Sequence, residues 1–126
     1  MSDGYIGVDF DGTLAHYDEW KGVGVLGEPI PIMVERVKAW LNKGIEVKIF
    51  TARMSGDEAA LEEIAIKRWC QEHLGQELEV TCIKDYRMEE FWDDRAIRIQ
   101  KNTGLVSDGS DVQEVFGEPG DIGAVL

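Results

Sequence analysis

Asp9 and Asp11 stand two positions apart and are followed directly by Gly12 and Thr13. Carboxylates at that spacing, ahead of a glycine, make a compact oxygen-rich turn. A hard cation such as magnesium takes one or two such carboxylates together with water and a phosphate. Asp93 and Asp94 form a second acidic pair far along the chain. Thr51, Arg53 and Lys84 add a hydroxyl, a guanidinium and an ammonium to the candidate polar residues. A calcium loop of the EF-hand type is excluded. Counting from Asp9, its fifth position is Thr13 and its twelfth is Trp20, where acidic or amide ligands are required. A solvated acidic turn at a strand end is the plain structural alternative for Asp9 and Asp11, and a local turn cap is the one for Thr51.

These residues must be positioned by regular elements, and the pattern for them is clear in places. Tyr5 to Phe10 reads as a buried strand, with Ile6, Val8 and Phe10 on one alternation. Gly12 to Pro31 reads as a loop. A helix is predicted from about Pro31 to Lys43, with Met33, Val37, Trp40 and Leu41 on one face and Gly44 at its end. Glu46 to Phe50 is a second predicted strand running into Thr51. Ser55 and Glu58 have capping-box spacing ahead of a helix with Leu61, Ile64, Ala65 and Trp69 as its apolar stripe, ended by Gly75. Leu78 to Ile83 and Glu90 to Trp92 are the third and fourth predicted strands. Arg95 to Gln100 and Leu105-Val106 suggest a hairpin around Asn102-Thr103-Gly104. The alternation of strands and helices predicts an α/β fold, a Rossmann-like three-layer sandwich with a mainly parallel central sheet. In such sheets ligands bind at the carboxyl ends of the strands, where Asp9, Thr51 and Asp93 fall. The link from Ile83 to Glu89 is too short for an ordinary parallel crossover.

Composition narrows the class further. The 126 residues carry a net charge of −12, so a basic face for gripping nucleic acid non-specifically is not expected. No apolar run approaches a membrane span and the N-terminus lacks the features of a signal peptide, so a cytoplasmic protein is expected. Cys70 and Cys82 have no metal-ligand spacing and are expected to be reduced. Trp40 and Trp69 are expected in the core and Trp92 beside the acidic pair. Trp20 reads either as a loop-packing residue or as one lining a substrate entrance.

The segment Val8-Asp9-Phe10-Asp11-Gly12-Thr13-Leu14-Ala15 resembles the first motif of the haloacid dehalogenase (HAD) superfamily of phosphohydrolases. Ile49-Phe50-Thr51, Lys84 and Asp93-Asp94 resemble its later motifs in order, so the resemblance covers residues 5–100. Thr-Ala-Arg at 51–53 with Asp-Asp-Arg at 93–95 is also similar to the phosphatase domain of phage polynucleotide kinase. The resemblance implies a HAD-like catalytic core over 1–106 and a C-terminal tail over 107–126, docked or mobile. It implies Asp9 as nucleophile and Asp11 as acid and base. Magnesium would be held by Asp9, Asp11 through its carbonyl, and Asp93 or Asp94. Thr51 and Lys84 would bind phosphoryl oxygens, and Gly12, Thr13 and Arg53 would complete the phosphate site.

The interval after the first motif is too short for a folded cap domain, so the resemblance is to capless members with open sites. The expected substrate is a phosphorylated small molecule or an exposed phosphate on a larger one, such as a nucleotide or a nucleic-acid end. Two other readings stay open. One is a phosphate- or metal-binding relative without turnover. The other is a receiver-like signalling domain that keeps its aspartyl-phosphate; there the accepting Asp stands without an acid two residues later.

Overall fold

The structure, a computed structural model, describes residues 3–107. Four strands form one sheet: β1 (Tyr5–Asp9), β2 (Glu46–Phe50), β3 (Val80–Thr81) and β4 (Met88–Trp92). Their order is β3-β2-β1-β4 and every pairing is parallel. Two helices, α1 (Pro31–Asn42) and α2 (Ala59–Leu74), flank the sheet. This is the Rossmann-like α/β architecture that the alternation of elements predicts.

The strands form because their side chains satisfy two surfaces at once. Ile6, Val8, Val47 and Ile49 share one alternation and pack with Met33, Val34 and Val37 of α1 and Ile66, Trp69 and Cys70 of α2. On the other alternation the Lys48 ammonium lies 4.4 Å from the Tyr5 ring centre, and Phe50 meets Phe91 edge to face at 4.9 Å. Both faces of β1 are therefore covered, as expected of a parallel sheet's central strand. α1 begins with Pro31 in its first turn, where the missing N–H is no loss, and needs no side-chain cap.

Two predicted features of α2 are altered. Ser55 does not cap α2: its hydroxyl donates to the Ala52 carbonyl at 2.6 Å, closing a short 3₁₀ turn over Ala52–Ser55. The buried face of α2 is also rotated from the predicted one. Glu62, Ile66, Trp69, Cys70 and Leu74 point inward, whereas Leu61 and Ile64 are exposed. Both stripes have helical spacing, and the sheet's position chose between them.

β3 is also shorter than predicted, ending at Thr81. The link over 82–87 must then pass from the carboxyl end at one sheet edge to the amino end at the other. The short link crosses as a non-helical strap, closed just before β4 by a turn in which the Met88 N–H donates to the Asp85 carbonyl at 3.2 Å.

The chain divides into two compact units, the second starting at Arg95. In its described part, Ile99 and Val106 form an antiparallel bridge around the Asn102-Gly104 turn, which agrees with the predicted hairpin. The tail beyond residue 107 lies outside the described residues. No helix among the described residues is long and apolar enough to cross a membrane.

Candidate functional site

Strand β1 pairs with β2 on one side and β4 on the other, so the chain reverses its direction of travel across the sheet at β1. At such a switch point the loops leaving neighbouring strands part and open a crevice at the carboxyl ends. Asp9 ends β1, and Asp93 and Asp94 directly follow β4. Register pairs Val8 with Trp92, which brings the three carboxyl groups to one place. One oxygen from each of Asp9, Asp93 and Asp94 lies within 4.8 Å of the others.

The turn after β1 is tied by its own backbone. The N–H groups of Leu14 and Ala15 both donate to the Phe10 carbonyl at 3.0 Å, and that of Gly12 donates to Ala15 at 2.8 Å. Gly12 has a φ of +89°, and a Cβ there would lie 2.7 Å from an Asp94 oxygen. Both the backbone and the space at this position therefore require glycine. The Thr13 hydroxyl is 3.1 Å from Asp9 Oδ2 and 3.3 Å from Asp94 Oδ1. With one proton it can donate to one carboxylate at a time, and in either case it steadies the pair.

Crowding of like charges has the expected electrostatic result. Burial, a hydrogen bond with Asp94 and the Asp93 charge together push the Asp9 carboxyl up to about 7. A divalent cation would relieve that repulsion. The donor set fits magnesium: hard carboxylate oxygens from three side chains, each keeping some contact with solvent.

Asp11 belongs to a different network. Arg53 Nε and Nη2 donate to its two oxygens at 2.8 and 3.0 Å, a paired fork-to-carboxylate contact. Arg53 Nη1 donates to Glu62 at 3.0 Å and Nη2 to the Val25 carbonyl at 3.1 Å. Glu62 in turn accepts the Gly24 N–H at 2.9 Å. The Arg53 and Glu62 side chains are almost wholly buried, while Asp11 keeps about a fifth of its surface. Asp11 is thus held by a buried guanidinium, itself held by a buried carboxylate.

The loop over 16–28 is pinched at its neck. The N–H of His16 donates to Glu28 and that of Ile30 to Leu14, both at 2.8 Å, and the Trp69 indole donates to the Gly27 carbonyl at 3.0 Å. A Cβ on Gly27 would collide with the His16 carbonyl, so this crossing also needs glycine. The pinch sends Trp20 over the Arg53 guanidinium, 4.9 Å from the ring centre.

Of the residues singled out in the sequence, Asp9, Asp93, Asp94, Gly12 and Thr13 come together at the carboxyl crest, with Asp11 and Arg53 beside them. Arg53 turns its donors to Asp11, Glu62 and Val25. Thr51 is buried at the end of β2, and its hydroxyl oxygen accepts the Arg53 N–H at 3.2 Å, the turn-cap geometry; it keeps a proton to donate. Lys84 is an exposed residue of the strap between β3 and β4, with no ion pair among the described residues. Glu62 falls outside the predicted α2 stripe, which runs through Leu61 and Ile64. The alternative stripe of Ile66, Trp69 and Cys70 has Glu62 one turn ahead of it, and an acid on an apolar face signals a buried partner. A cavity of about 660 Å³ opens at the amino ends of the strands, lined by residues including Asp3, Glu46 and Arg87. It lies away from the acidic crest and holds none of these residues.

One solved structure with this architecture is a conserved protein from Bacteroides thetaiotaomicron. It is 26% identical, with a TM-score of 0.52 over 73% of this chain and 76% of that one. No protein-family model matches the chain, and no curated protein matches it significantly in sequence.

Proposed function

We propose that the chain is a magnesium-dependent phosphomonoester hydrolase of the HAD type, working through an aspartyl-phosphate on Asp9. The observation that carries this reading is the convergence of Asp9, Asp93 and Asp94 within 4.8 Å at the sheet's switch point, with Asp11 on the same turn. An Asp9 oxygen attacks phosphorus, the bond to the leaving oxygen breaks, and Asp11, protonated on one oxygen while the other keeps its bond from Arg53, gives that proton to the leaving oxygen. Asp11, now ionised, takes a proton from water. The hydroxide formed attacks the phosphoryl group, releases phosphate and returns Asp9 to its carboxylate. Magnesium bound by Asp9, Asp93 or Asp94 and the Asp11 carbonyl would offset the negative charges of nucleophile and phosphate. Thr13 orients Asp9. Arg53 fixes the direction of the Asp11 carboxyl, and so the leaving oxygen it can serve. Thr51 and Lys84 are proposed phosphate ligands, as the motif resemblance implies.

Phosphate release from a panel of phosphomonoesters, with magnesium and with chelator, is the test. We expect metal-dependent release that disappears in Asp9→Asn. Unchanged release in that variant overturns the mechanism, and a phospho-Asp9 species persisting for minutes assigns a signalling role instead. Asp11→Asn should retain turnover of esters with good leaving groups far better than of those with poor ones.

A further inference from the structure

Resting on that reading, we infer that Trp20 is the specificity-determining residue of the site, a platform on which a flat aromatic leaving group stacks. The acid that serves the leaving oxygen is Asp11, so whatever lies just beyond Asp11 meets the leaving group. Arg53 lies there, bonded to both Asp11 oxygens, with the Trp20 ring over the same guanidinium. The indole therefore lies on the guanidinium that pairs with the Asp11 carboxylate.

Trp20 stays outside the core. It is 55% exposed, whereas Trp69 in the core is 7% exposed. Covering that aromatic surface with a ligand ring is favourable. The cation–π contact with Arg53 holds the ring in place beforehand, so little side-chain freedom is left to lose when a ligand stacks. Arg53 cannot drift, because Glu62 and the Val25 carbonyl anchor it from behind. Val23 and Val25 extend the apolar edge of the loop, and both are exposed. The Gly24 N–H bond to Glu62 ties this stretch to α2, so the platform sits on a rigid element.

The ligand class follows from these surroundings. A π-face favours a planar ring, such as a nucleobase or an aryl group, over a polyol or an aliphatic side chain. The net charge of −12 disfavours a long polyanion, so the substrate is a small phosphate ester with an aromatic leaving group.

The experiment compares kcat/KM for adenosine monophosphate, phenyl phosphate and glycerol phosphate in wild type, Trp20→Ala and Trp20→Phe. Wild type is expected to prefer the two aromatic esters. That preference should fall about tenfold in Trp20→Ala, the order that one stacked ring contributes, and return largely in Trp20→Phe. A preference unchanged in Trp20→Ala overturns the inference while leaving the hydrolase reading intact. If wild type hydrolyses none of the esters, the hydrolase reading fails, and calorimetric binding of the same probes decides the platform by itself. Tighter binding of the aromatic esters that is lost in Trp20→Ala supports the platform, and equal binding of all three overturns it.

Discussion

Asp9 is held among Asp93 and Asp94 in a way that raises its carboxyl to about 7 from an ordinary value of 3.8. In the metal-free protein this has a definite consequence for stability. Between those two values the folded chain retains a proton that the unfolded chain has released. Stability contributed at Asp9 is therefore complete below about pH 4 and declines as pH rises toward 7. Thermal melts in chelator should show wild type losing stability across that window relative to Asp9→Asn, which cannot ionise there. Magnesium binds the ionised form, so its addition should raise the wild-type midpoint more at pH 8 than at pH 5. Equal pH dependence of the two proteins would mean that Asp9 is not crowded as described.

Helix α2 is where sequence periodicity and packing part company. Leu61 and Ile64 have the spacing of a buried stripe, yet both are exposed, and the core takes Ile66, Cys70 and Leu74 instead. Urea unfolding should separate the two stripes. Ile66→Ala is expected to cost about 2–5 kcal/mol, and Leu61→Ala no more than about 0.5 kcal/mol. Glu62→Ala belongs with the costly group, at about 3 kcal/mol, because it leaves the buried Arg53 guanidinium without one of its partners. By contrast β2 was legible residue for residue, since Val47 and Ile49 alternate against Glu46 and Lys48 with no competing pattern. The predicted β3 is longer because Cys82 and Ile83 have strand-like side chains. They leave the sheet because β2 ends at Phe50, the partner of Thr81, and gives them no strand to pair with.

The order β3-β2-β1-β4 puts β1 between two strands and leaves β3, two residues long, at an edge. Amide exchange should reflect that ranking, with Ile6 to Val8 slowest and Thr81 among the fastest of the strand amides. The two thiols report on the same layering. Burial pushes the Cys70 thiol up to about 12, and it is enclosed in the core. Cys82 sits half-buried at the start of the strap. A thiol reagent under native conditions should therefore modify Cys82 and spare Cys70 until the chain unfolds. Rapid labelling of both would show that α2 does not seal the core as described.

The residue types and spacing by themselves determined the acidic turn at Asp9 and Asp11, the two strands that lead to it and to Thr51, and the α/β class. Those features are local: two-residue alternation, a glycine after two carboxylates, a proline at a helix start. Their physics operates over a few residues and can be read from them. The strand order, the inward face of α2 and the convergence of Asp93 and Asp94 on Asp9 were decided only by tertiary structure. So was the Glu62–Arg53–Asp11 relay, which joins residues 42 and 9 positions apart in the chain. A charged pair at such separation leaves no periodic trace. It exists because burial makes an unpaired charge too costly, and only the packed chain determines which groups are buried together.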